Sequence, residues 1–73
     1  MIHRSHFVNK LRLLDYTFKA RQKRTELYRR KGGTHYVSVP LADLLEEEFV
    51  TFSLRQAGCT AEEIKAFLAA SRS

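Results

Sequence analysis

Apolar and polar positions along the chain switch between the helical and the strand period. Phe7, Val8, Leu11 and Leu14 share one stripe, which predicts a first helix with Ser5 as N-cap and Lys10 and Arg12 turned toward water. Asp15 closes that helix. Tyr16 to Arg21 then alternates with period two, predicting a strand with Tyr16, Phe18 and Ala20 inward and Thr17, Lys19 and Arg21 outward. Two further runs of β-formers, Thr25–Tyr28 and Tyr36–Val39, flank Gly32-Gly33 and predict a hairpin. With Leu27, Val37 and Val39 assigned to the core, the opposite face carries Glu26, Tyr28, Arg30, Tyr36 and Ser38, with Tyr28 and Tyr36 as cross-strand neighbours.

Pro40 ends the third strand because it has no N–H to give a ladder. Asp43 is the expected N-cap of a second helix over residues 44–58, with Leu45, Phe49 and Phe52 on one buried stripe and Val50, Leu54 and Ala57 on another. Glu46, Glu47 and Glu48 fall in its first turns, where the helix dipole favours anions, and Gly58 stops it. Thr60 and Glu63 form a capping box for a third helix, whose apolar face is Ile64, Phe67 and Leu68. The order predicts a single α+β domain over residues 1–73: α-β-β-β-α plus an additional C-terminal helix, a three-stranded antiparallel sheet with the helices on one face.

Charge changes the picture more than composition does. The formal net charge is +5, but through Pro40 there are ten lysines and arginines against Asp15 and Glu26, and thereafter three against six acids. The basic half is the expected contact for a polyanion. The outward sheet residues Lys19, Arg21, Tyr28, Arg30 and Tyr36, with Lys23, Arg24, Arg29 and Lys31 around them, mix cations with aromatics as stacking on bases and neutralising phosphate require. A single cysteine, Cys59, excludes an internal disulfide and fits a reducing cytoplasm, and its surroundings hold no group that would activate a thiolate. No apolar run approaches a membrane span, so no membrane partner is expected. Three scattered histidines and one cysteine do not make a metal site, and no cofactor is expected.

The stretches Val37-Ser38-Val39-Pro40 and Leu54 to Leu68, with Leu-Arg-Gln-Ala-Gly closing one helix and Thr-x-Glu-Glu opening the next, resemble the HicA family. These are small mRNA-cleaving toxins of toxin–antitoxin pairs with a double-stranded-RNA-binding-like fold. The resemblance covers nearly the whole chain. It implies RNA as partner, an antitoxin protein as a second partner masking the same surface, and endoribonuclease activity.

Two departures accompany it. The family carries Lys-Gly-Ser-His at the start of its second strand, the histidine being catalytic, and here Lys23-Arg24-Thr25 stands where Gly-Ser-His is expected. Threonine cannot serve as a general base at neutral pH, so the catalytic group is unassigned. His35 is the candidate substitute. Alternation places it on the Val37 side near the hairpin end, which favours a structural role. The second departure is Leu41 to Glu48, whose acids replace a basic entry to the second helix. The alternative to RNA binding is a non-catalytic module using the basic face for an acidic protein partner.

Overall fold

The computed structural model describes residues 1–72. In chain order it contains β1 (Ile2–His3), α1 (Arg4–Leu13), β2 (Tyr16–Arg21), β3 (Thr25–Arg30), β4 (Tyr36–Pro40), β5 (Leu44–Leu45), α2 (Glu47–Gln56) and α3 (Ala61–Ser71). β2, β3 and β4 form an antiparallel sheet in that order. β1 and β5 pair separately, Ile2 opposite Leu45 and His3 opposite Leu44. The domain is therefore α+β, with three helices and a three-stranded antiparallel sheet, plus a two-residue ladder that periodicity did not predict. Ile2 and Leu45 are both buried, so this ladder belongs to the core.

One hydrophobic cluster joins every layer. Phe7, Val8 and Leu11 of α1 meet Tyr16, Tyr28, Val37 and Val39 of the sheet, together with Val50 and Leu54 of α2 and Ile64 of α3. Phe7 and Phe49 stack edge to face with centroids 5.7 Å apart. Cys59 is a buried free thiol at the margin of this cluster. Thr60 and Glu63 form the predicted capping box, each side chain accepting from the other's backbone N–H. Gly58 sits at φ +95, the left-handed geometry a helix stop requires.

The other two helix starts differ from expectation. α1 begins at Arg4 with His3 as N-cap, two residues before the start set by Ser5, because β1 delivers the chain directly into the helix. The Arg4 N–H donates to the Asp43 carbonyl at 2.8 Å, which supplies the cap a side chain would otherwise provide. Asp43 is thus no N-cap. Leu44 and Leu45 are extended in β5, and α2 starts at Glu47 after Glu46. Phe52, expected on a buried stripe, lies off the one formed by Val50, Ser53, Leu54 and Ala57, and it is 64% exposed.

Sheet register explains the remaining differences. β4 pairs with β3 so that Tyr28 faces Val37 and Arg29 faces Tyr36, the loop between them running from Lys31 to His35 with Gly32 at φ +74. Tyr28 therefore shares the buried face with Val37 and Val39, and Leu27 lies opposite Ser38 on the open face, half-buried. The expected assignment of Leu27 inward and Tyr28 outward is reversed, and Tyr28 and Tyr36 are not cross-strand neighbours. In β2 a bulge falls between Phe18 and Ala20, which pair with the consecutive residues Tyr28 and Leu27. The extra residue slips the alternation, so Ala20 shares the face of Leu27, and Arg21, opposite Glu26, shares that of Val39.

Candidate nucleic-acid interface

β3 carries its basic residues to both sides of the sheet. On the covered side, Arg30 is half-buried and fixed: its Nε donates to the Leu14 carbonyl at 3.4 Å and its Nη2 to the Ala57 carbonyl at 2.8 Å. Its guanidinium lies 5.1 Å from the centre of the Tyr16 ring. These contacts satisfy carbonyls at the ends of α1 and α2, so Arg30 is a structural tie. Tyr28 is 3% exposed, with its hydroxyl donating to Glu26 at 3.3 Å. Glu26 also pairs with Arg4, whose Nε donates to the Pro40 carbonyl at 2.8 Å, so the start of α1 is tied to β3 and β4. The hydrogen bond from Arg4 holds the Glu26 carboxyl below its ordinary range, with partial burial opposing it. Glu26, Tyr28 and Arg30, assigned from the sequence to the outward face, all lie on the helix side.

On the open side, Thr17, Arg29 and Tyr36 stand in one row across the three strands, and Ala20, Leu27 and Ser38 in the next. Arg29 is held by its Nε donating to the Gly33 carbonyl at 2.9 Å, which leaves its remaining N–H groups toward solvent. Tyr36 is 44% exposed. Lys19, Arg21, Lys23, Arg24 and Lys31 are exposed. Among the described residues, ion pairs join Arg4 to Glu26, and Arg72 and the N-terminal amine to Glu47. None involves Lys19, Arg21, Lys23, Arg24, Arg29 or Lys31. Those six cations divide into two groups: Lys19, Arg29 and Lys31 toward the β3–β4 loop, and Arg21, Lys23 and Arg24 at the β2–β3 turn.

Thr25 opens β3, with its Oγ1 donating to Gln22 Oε1 at 3.2 Å across that turn. His35 lies at the other end of the hairpin, where its backbone carbonyl accepts from the Arg30 N–H. Its Nδ1 is 2.5 Å from the Tyr16 hydroxyl and the two rings meet edge to face. Burial pushes the Tyr16 phenol above its ordinary range, with Arg30 pulling the other way. The Tyr16–His35 hydrogen bond ties the ring of His35 to the covered side of β2, with donor and acceptor set by the imidazole tautomer. His35 and Thr25 are therefore at opposite ends of β3 and do not form one site. His3 and His6 stack edge to face at the start of α1, and no group of three metal-binding side chains occurs among the described residues.

Two residues that bear on this surface were not singled out from the sequence. Phe18, assigned inward, is 53% exposed. Arg12 of α1 lines the same hollow as Phe18. The signal for Phe18 lay in α1: the helix turns Ser5, Asn9 and Arg12 toward that part of the sheet, and Val8 is its one apolar residue there. No family model, no curated protein and no solved structure matches the chain. No helix among the described residues is long and apolar enough to cross a membrane.

Proposed function

We propose that this chain is a HicA-like RNA-binding protein of toxin–antitoxin type, built on a double-stranded-RNA-binding-like arrangement of its helices and sheet. The observation that carries the reading is the group Lys19, Arg29 and Lys31 toward the hairpin loop, outside any ion pair among the described residues, with Arg29 opposite Tyr36 on the sheet face that no helix covers. Unpaired cations on a rigid surface gain most from phosphate, because they release counterions and lose no intramolecular partner. The sheet fixes their spacing, and Tyr36 adds a flat apolar face among them.

The reading assigned is binding. Cleavage through a 2′-hydroxyl needs a group that moves a proton near neutral pH, and Thr25 with its hydrogen bond to Gln22 cannot provide one. Incubating labelled mRNA with the wild type and with His35→Ala decides the role of His35. Cleavage lost in the variant would assign it the general base, whereas RNA left intact by both proteins would confine the function to binding.

Binding itself is tested by RNA affinity across roughly 50 to 200 mM salt. Phosphate contacts predict a log–log slope of about −0.7 per contact on a single strand, and Arg29→Ala with Lys31→Ala should flatten it by roughly 1.4. A response indifferent to salt sinks the RNA reading. One feature favours a protein partner instead: β4 is an edge strand, so Tyr36–Pro40 has backbone groups open to an added strand beside Arg29. An acidic segment that protects the β4 amides from hydrogen exchange would establish that second reading.

A further inference from the structure

Phe18 combines a buried-face register with an exposed ring. It lies opposite Tyr28 in the β2–β3 ladder and meets that ring edge to face, centroids 6.0 Å apart at 79°. An aromatic recruited only to seal the core would be covered by the helix above it. α1 instead presents Ser5, Asn9 and Arg12, and the ring is left 53% exposed.

Phe18 is also the wall shared by two hollows. One, of about 380 Å³, is lined by Arg4, Ser5, Val8, Asn9 and Arg12 of α1 and by Glu26 and Tyr28 of β3. Glu26 is already paired with Arg4, so Arg12 gives that hollow an uncompensated positive charge. The other, of about 390 Å³, is lined by Thr17, Lys19, Arg29, Arg30, Lys31 and Gly32. A fixed aromatic between two cationic hollows is the arrangement by which single strands are held: the base lies on the ring and the phosphates on either side reach the cations.

We propose that Phe18 is a stacking platform for one unpaired base of single-stranded RNA, with the backbone running from Arg12 on α1 to Lys31 at the hairpin loop. The proposal rests on the RNA reading above and narrows its substrate. In a duplex both faces of each base are already stacked, so a duplex cannot use the platform. Every base has a π face, so the platform itself carries little sequence preference, while Ser5 and Asn9 add neutral polar side chains to the first hollow.

The chain has no tryptophan, so Phe18→Trp introduces a single tryptophan at the platform, excited selectively apart from the tyrosines. A uridine-rich single strand should quench it saturably, and a duplex of equal length should leave it unchanged. At fixed salt, Phe18→Ala should weaken single-strand affinity by about 5- to 150-fold. Phe18→Leu keeps an apolar contact on Tyr28 but has no flat face, so it should lose affinity by a similar factor even if the alanine variant folds poorly. Neither change removes a charge, so both should retain the wild-type salt slope, whereas Arg12→Ala should make it shallower. If the wild type binds with a steep salt slope while Phe18→Leu binds equally well and the tryptophan is unquenched, the platform is overturned and RNA binding stands. If the wild type binds no RNA under any salt condition, both proposals fall together.

Discussion

Arg29 and Arg30 follow one another in β3, and Tyr28 and Tyr36 belong to the same hairpin, yet the sheet divides each pair between its two faces. Arg30 spends its guanidinium on the Leu14 and Ala57 carbonyls and on the Tyr16 ring, while Arg29 gives one N–H to Gly33 and keeps the rest for solvent. Tyr28 is 3% exposed and Tyr36 44%. The positive charge of the first forty residues is therefore not all surface charge. Part of it holds the helices to the sheet, and what the hairpin keeps for a ligand is smaller and sits at its two ends, with Arg12 of α1 beside it.

The sharpest way to break this division is to truncate both tyrosines. Tyr28→Ala removes a core ring and should destabilise the domain by about 3–5 kcal/mol, whereas Tyr36→Ala should stay within about 0.5 kcal/mol, as read from denaturant midpoints. A similar loss in both would mean the two faces are equally covered. The arginines give the next effect. Arg30→Ala leaves two carbonyls short of a donor and should cost about 1–3 kcal/mol with little direct effect on RNA, while Arg29→Ala should leave the melting curve near wild type and weaken RNA binding. If instead Arg30→Ala weakens RNA binding at unchanged stability, the division drawn at β3 is misplaced.

The smallest expected effect is pH-dependent. Hydrogen bonds from Arg4 to Glu26, from Arg72 to Glu47, and from the Thr60 backbone and hydroxyl region to Glu63 hold all three carboxyls below the ordinary value of 4.5. A depressed folded-state value stabilises fully above that ordinary value and is lost as pH falls through the folded one. Melting temperature should therefore be level near neutrality and decline below about pH 4.5. Glu26→Gln should make that decline shallower, and a decline as steep as wild type would remove Glu26 from the account.

The elements that sequence made legible are those governed by local chemistry. Thr60 and Glu63 cap α3, Gly58 ends the preceding helix, Asp15 takes a left-handed φ of 69 between α1 and β2, and Val37 and Val39 alternate into the core as expected. The errors in the hairpin came from ranking side chains by hydrophobicity above turn geometry. A loop centred on the Gly32-Gly33 peptide already places Tyr28 opposite Val37, so the turn implied the observed phase and the preference for Leu27 contradicted it. Tyrosine can take the buried place because its hydroxyl finds Glu26. The β2 bulge was not legible, since one extra residue leaves no trace in a six-residue alternation. Nor was the β1–β5 ladder, because two-residue strands far apart in sequence have no period to detect. For the candidate interface, the cation group near the loop was visible as composition, but which cations were free was set by partners on α1 and α2 that no local pattern reveals.

The β1–β5 ladder has a consequence for how the parts depend on each other. It joins residue 2 to residue 45, and the Arg4 N–H to the Asp43 carbonyl, so the helix and sheet between them form one closed loop of chain. Closing so long a loop carries an entropy cost that the hairpin contacts do not, so the clasp should form after the sheet and open before it. Within that loop lie Arg12, Phe18 and all the free cations of the hairpin. Opening the clasp would let α1 swing relative to β2 and separate the two hollows that meet at Phe18. The stability of Ile2, His3, Leu44 and Leu45 thus sets how well a surface whose hollows they do not line is held in shape.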